Sequence, residues 1–193
     1  MIKPRHRTCK IKAEGCHGRY RPFNSLQQCC PNPRCAIEAG KSAVAKRARR
    51  ELKAYREKSK SRGEWLKEAQ AAFNRFIRAR DYDKPCISCG VTGTTKEALT
   101  GGYWDCGHYR SVGACPELRF EELNAHRQCK RCNSQLSGNV VEYRIRLIVR
   151  IGAAKVAWLE EEHPAKKYSI EDLKQIKKHY SKLANELEKA RAA

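Results

Sequence analysis

Two Cys-x-x-Cys pairs, Cys86/Cys89 and Cys129/Cys132, restrict this chain more than anything else in it. Zn²⁺ takes four soft ligands tetrahedrally, and each pair places two thiolates on one tight knuckle. Two knuckles together make a closed four-sulfur site. Such a site has no coordination position left for a substrate, so this zinc is expected to staple the ends of a small module and to do no chemistry. The competing reading is four free thiols or a redox dithiol. Two matched pairs, set beside Gly90, Asn133 and basic residues, speak for metal.

The interval between the pairs holds Asp105, His108, Asn124 and His126, and Asn133 follows the second pair directly. The order Cys-x-x-Cys, Asp-x-x-His, Asn, Cys-x-x-Cys-Asn resembles a zinc-stapled HNH nuclease, a ββα-metal module. The fuller string runs Asp105-x-Gly107-His108-Tyr109-Arg110-Ser111, Leu118-Arg119-Phe120, Asn124-x-His126-x-Gln128-Cys129 and Asn133 to Leu136-Ser137-Gly138-Asn139. It resembles the NinG/Rap recombination proteins of lambdoid bacteriophages. The likeness covers most of the chain, including the amino-terminal cysteines and the run Arg19-Tyr20-Arg21-Pro22-Phe23-Asn24-Ser25-Leu26-Gln27-Gln28. It implies a structure-specific DNA endonuclease acting on branched double-stranded recombination intermediates, Holliday junctions and D-loops among them. It also implies the cytoplasm of a bacterial host, and other recombination proteins as partners.

The chemistry requires these residue types whatever the family. Phosphodiester hydrolysis needs an activated water, a cation on the scissile phosphate and a stabilised leaving oxygen. A neutral imidazole is the natural base near pH 7, and His108 is the candidate. Asp105 and Asn133 are candidate ligands for one Mg²⁺ or Mn²⁺, since hard oxygen donors suit these ions. Asn124 corresponds to the middle Asn of the HNH order, which fixes the loop and orients the His. His126 either touches phosphate or metal, or braces its strand. The alternative for His108 is a buried, hydrogen-bonded histidine. Two departures from the HNH pattern bear on the metal ligands. Many HNH modules carry Asp immediately before the His, whereas here two residues intervene. A His often ends the order where this chain has Asn133. Cys106 and Cys115 read as small buried residues and not as ligands.

The 193 residues carry a net charge of +20, which points to a polyanionic partner. Up to Arg62 there are eighteen basic and four acidic residues, so most of the excess lies in the first third. No apolar run approaches the ~18–20 residues of a membrane span, and the amino terminus lacks the apolar segment of a secretory signal. Eleven cysteines in a chain of this kind read as metal ligands before disulfides.

The expected fold is α+β and mostly helical: a small zinc-stapled ββα-metal module with an amino-terminal zinc knuckle and flanking long helices. Residues 1–38 form the knuckle, 39–80 a basic helical segment, 81–139 the HNH-like module and 140–193 the carboxy-terminal helices. In the knuckle, Cys9 and Cys16 face Cys30 and Cys35 across a second zinc; the resemblance favours Cys30 over Cys29, and His17 is a substitute ligand. Arg19, Tyr20, Arg21 and Phe23 can contact phosphate and stack on a base, or the rings fill the small core; core filling is the expectation for Phe23. Along the basic helix, Lys46, Arg47, Arg49, Arg50 and Lys53 surround a narrow stripe of Val44, Ala48, Leu52 and Tyr55, which suits a DNA backbone or a solvated face. Arg110 joins this DNA-contacting set. Gly63 is expected to break or bend the helix, after which Trp65, Ala69, Ala72, Phe73 and Phe76 pack on the module.

Strands are expected at residues 103–110 and 125–128, and a short helix from about Cys132. Helix follows at 139–161. A last helix starts at the Ser169/Asp172 capping box, its seam of Leu173, Ile176, Tyr180, Leu183 and Leu187 packing on this chain or forming a homodimer. The rival function is a non-catalytic zinc-dependent DNA-binding recombination accessory protein or regulator, for which zinc and basic charge suffice.

Overall fold

A computed structural model describes residues 5–16, 18–93 and 102–192. His17, the substitute zinc ligand of the sequence reading, and residues 94–101 lie outside them. The architecture is mostly helical with two small antiparallel sheets. The chain divides into two compact units, Met1–Lys60 and Ser61–Ala193. Among the described residues no helix is long and apolar enough to cross a membrane.

In the first unit, β1 (Arg7–Thr8) pairs with β2 (Arg19–Tyr20), Arg7 opposite Tyr20. Tyr20 is buried beside Cys9, Cys30 and Cys35, and its hydroxyl donates to the Gln27 carbonyl at 2.7 Å. Phe23 does not fill this core: it is 88% exposed, against expectation. The Asn24 side chain accepts from the Leu26 and Gln27 amides and turns the loop so that the ring stands outside.

Helix α1 (Pro33–Ser59) starts well before residue 39. Asn32 caps it, accepting from Arg34 and Cys35, and Pro33 sits where a missing N–H costs nothing. Cys35 is its sole buried residue; Val44, Leu52 and Tyr55 are exposed.

The helix break falls at Lys60–Ser61 and not at Gly63. Ser61 and Glu64 form a reciprocal capping box that starts α2 (Arg62–Arg80), with Gly63 inside its first turn. In this second unit α2 buries Trp65, Ala69, Ala72, Phe73, Phe76 and Ile77. Its partner is α5 (Ile170–Ala192), which starts behind Ser169 and Asp172 as the spacing indicates. The Leu173–Tyr180 seam therefore packs within this chain, Tyr180 lying 4.9 Å from Phe73 ring to ring.

Strand β3 (Trp104–His108) pairs with β4 (Ala125–Cys129), Asp105 opposite Gln128 and His108 opposite Ala125. A single wide helical turn, Arg131–Gln135, follows β4. The helical stretch beyond is two helices, α3 (Val140–Ile151) and α4 (Ala153–Glu160), because Gly152 adopts φ +90°, which an L side chain rarely tolerates. Tyr143, Leu147, Val156 and Leu159 close a second core over Ile87 and Tyr109.

Candidate functional site

The described residues bring together two cysteine tetrads. Cys9, Cys16, Cys30 and Cys35 form one, Cys86, Cys89, Cys129 and Cys132 the other, each with its sulfurs within 4.8 Å of one another. Cys16 lies 3.8 Å from Cys30, and Cys89 3.8 Å from Cys129. Four sulfurs about 2.3 Å from one zinc stand about 3.8 Å apart, so the donor sets fit structural zinc. Backbone amides aim at the sulfurs: Gly18 at Cys16 (3.3 Å), Cys30 at Cys9 (3.4 Å) and Cys129 at Cys86 (3.4 Å). Such donors spread thiolate charge and orient the ligands. Cys29 stands outside the first tetrad, and Cys106 and Cys115 are buried outside both.

The second tetrad draws on the turn before β3 and on the end of β4, so it fixes the strand pair at one end. At that end Asn133 donates from Nδ2 to Asp105 Oδ2 at 3.0 Å. The structure thus unites a carboxylate and an amide from two elements. Both offer hard oxygens, the donor chemistry that suits Mg²⁺ or Mn²⁺.

His108 goes elsewhere. Successive strand side chains alternate, so Trp104, Cys106 and His108 project from one face of β3 and Asp105 from the other. The half-buried His108 ring lies 5.9 Å from Phe73, and its Nε2 shares a hydrogen bond with the Arg119 carbonyl at 3.1 Å. A carbonyl only accepts, so in the neutral ring Nε2 carries the proton toward Arg119, and the Cys106 backbone also bonds to the ring. Burial pulls its pKa down, and the Arg119 carbonyl offsets part of that. The imidazole is therefore neutral near pH 7.

Asn124 is fully buried and ties the loop after β3 to its return. Its Oδ1 accepts from the Arg110 amide at 2.8 Å, and its Nδ2 donates to the carbonyls of Arg110 (3.0 Å) and Leu118 (3.2 Å). His126 is buried too: Nε2 faces the Leu123 carbonyl, and Nδ1 faces Arg80 at 3.2 Å and Asp81 at 3.5 Å. These contacts brace β4.

Of the candidate DNA contacts, Arg19, Arg21, Lys46, Arg47, Arg49, Arg50 and Lys53 are exposed, and Arg110 is half-buried. Arg47 is paired with Glu51 at 2.8 Å. All but Arg110 lie in the first unit. Two residues escaped the sequence reading. Asp81 is wholly buried; burial would push its carboxyl up, but bonds from His126, Arg80 and Lys84 hold it far below the carboxylate range. Arg127 stacks 3.6 Å over Trp104. Neither carries a local signal, since each is defined by partners distant in sequence.

A family model described as "NinG: Bacteriophage Lambda NinG protein" matches residues 1–190. A "Protein ninG" of Escherichia phage 933W is 40% identical over 100% of this chain and 98% of its own length. The "Protein ninG" of Escherichia phage lambda is 39% identical with the same coverage. That of Salmonella phage P22 is 47% identical over 69% of this chain and 62% of its own. No solved structure matches the chain.

Proposed function

Because this chain belongs to the NinG family, whose model spans nearly all of it, we propose that it is a metal-dependent endonuclease that cuts branched DNA during recombination. The observation that carries this reading is the Asp105–Asn133 contact at the end of a strand pair clipped by four cysteines, with a neutral histidine on the same strand. In this reading the two tetrads hold structural zinc, and β3, β4 and the helical turn after them are the HNH-like ββα-metal unit.

Asp105 and Asn133 would hold one Mg²⁺ or Mn²⁺, which when bound supplies charge neutralisation at the phosphate and at the leaving 3′ oxygen. His108, which projects from the other face of β3, is the candidate base in this reading, its Nε2–H held by the Arg119 carbonyl. Asn124 keeps the loop between the strands in one shape, and so positions the Arg119 carbonyl that steadies the ring. The amino-terminal knuckle and α1 contribute phosphate contacts through Arg19, Arg21, Lys46, Arg47, Arg49, Arg50 and Lys53. Selectivity for branches comes from surface shape, since these are phosphate contacts and carry no base code.

One observation favours a second reading. The pleat of β3 points His108 away from Asp105, an arrangement that a non-catalytic zinc-dependent DNA-binding accessory protein also accommodates. Incubating the protein with a synthetic four-way junction and Mg²⁺, beside His108→Ala and Asp105→Ala, separates the two. Strand cleavage by the parent and its loss in both variants, with junction binding retained, supports the nuclease. Binding with no cleavage by the parent supports the accessory protein.

A further inference from the structure

The end of α2, the turn after it, the start of β3, β4 and the end of α5 enclose an open cavity of ≈ 720 Å³. Its walls include Arg78, Tyr82, Tyr103, Trp104, Arg127 and Arg191. Arg127 is the informative member. It is 7% exposed, its Nη1 donates to the carbonyls of Asp81 (3.2 Å) and Lys84 (3.3 Å), and its guanidinium lies over Trp104. Among the described residues it has no carboxylate in an ion pair. Asp81, the buried carboxylate beside it, is already shared by Arg80, Lys84 and His126.

Neutral carbonyls satisfy donors but do not neutralise a charge, and a buried charge is costly without a counter-ion. The cavity is the side from which an anion can reach Arg127. Arg78 stands on the same wall; among the described residues it forms no close ion pair, and the charge of Glu188 acts on it from a distance. Of the two acidic residues on the walls, Glu188 is engaged by Arg75, and Asp83, like Asp81, acts on Arg127 through its charge without forming an ion pair, so the compensation of Arg127 is partial.

The walls also carry rings: Tyr103 and Trp104 meet edge to face at 4.8 Å, and Tyr82 is exposed with Arg191 4.2 Å from its centroid, a contact that a stacked base would share or displace. A phosphate beside a flat, stackable ring is a nucleotide. Bases inside a duplex are stacked on each other and cannot enter. A volume of this order suits one small ligand.

We infer that this cavity takes an unpaired nucleotide of a nucleic-acid strand, its base against Tyr82 and Tyr103 and its phosphate against Arg78 and Arg127. Strands leaving a branch point present such nucleotides, and the site needs no cleavage to act.

The test is binding of a short fluorescent oligothymidylate, beside an abasic phosphodiester of equal length and charge, with no divalent cation added. The wild type is expected to favour the oligothymidylate. Tyr82 is 60% exposed, so Tyr82→Ala keeps the fold. It should weaken oligothymidylate binding roughly tenfold, in line with the loss of one stacked base, and leave the abasic strand unaffected. Tyr82→Phe should retain the preference, and Arg78→Ala should weaken both strands. Equal wild-type affinity for the two probes, or no effect of Tyr82→Ala on oligothymidylate, overturns the inference. Neither outcome depends on whether the protein cuts junctions.

Discussion

Gln128 lies across Gly107 so closely that a Cβ at position 107 would fall 2.9 Å from its Cβ and Cδ. Gln128 cannot yield, because its Nε2 donates to Ser88 Oγ and to the Gly138 carbonyl, both at 2.6 Å. The position immediately before His108 therefore admits no side chain. The preceding residue on that face is Asp105, which is where the carboxylate of this chain sits and where Asn133 meets it. Gly107→Ala should destabilise the protein by about 1–3 kcal/mol, the usual cost of overpacking, read by urea denaturation. Adding Gln128→Ala should recover only part of this, since its Cβ remains.

Cleavage should depend on pH through His108. Burial lowers the pKa of its imidazole, so the neutral, proton-accepting form already dominates below the ordinary value of about 6.5. The rate should rise with pH through an inflection below 6.5 and be flat above 7. His108→Ala should lose roughly 10²–10⁴-fold in rate, the usual share of a general base. A profile that keeps rising through pH 8 would assign the base elsewhere.

Much of this was legible in the sequence for local reasons. Cys-x-x-Cys spacing marks a set of sulfurs that the fold brings together, and the Ser169/Asp172 pair marks a helix start by chemistry confined to one turn. The stripe from Trp65 to Phe76 shows its buried face by period alone. Two misplaced boundaries also had local signals. Ser61 and Glu64 spell a capping box beside the less informative Gly63, and Gly152 stands where the long helix divides. Asp81 was different. It becomes a buried charge hub only through Arg80, His126 and the backbone of Arg127. Phe23 misled because an aromatic ring beside a metal knuckle normally packs there.

Each tetrad should hold its own zinc. Cys16→Ser is expected to lower the bound metal from two ions per chain to one and to disorder only the first unit; Cys132→Ser should do the same to the second. Elemental analysis with circular dichroism checks both. Because the thiols must lose protons to bind, metal retention should fall as pH falls. Loss of both ions in either single variant would refute independent sites.

Stability should decline on acidification in two stages. His126 is buried with its pKa lowered, so below about 6.5 the unfolded chain takes up a proton that the folded chain resists. The Asp81 carboxyl is depressed by His126, Arg80 and Lys84 despite its burial, so its contribution is full above about 4 and is lost below that. Asp81→Asn should cost about 3–5 kcal/mol at neutral pH by leaving Arg80 without its buried partner. It should also shrink the second stage, to which Glu160, held down to about 2 by Arg144 and Tyr109, still contributes, and keep the first. Chemical denaturation at a series of pH values reads both.

Phe23 and Arg21 should separate stacking from charge at the knuckle. Phe23 is 88% exposed, so Phe23→Ala removes no core contact and should leave zinc content and melting temperature unaltered. If the ring stacks on an exposed base, the variant loses about 1–3 kcal/mol of affinity for a four-way junction. Stacking releases no counter-ions, so the dependence of affinity on salt should keep its slope. Arg21→Ala should do the reverse, lowering affinity modestly and reducing the slope by about one phosphate contact. Titration at several salt concentrations distinguishes them. An unchanged affinity for Phe23→Ala would leave the exposed ring without a part in DNA binding, and the knuckle would then act through its charges alone.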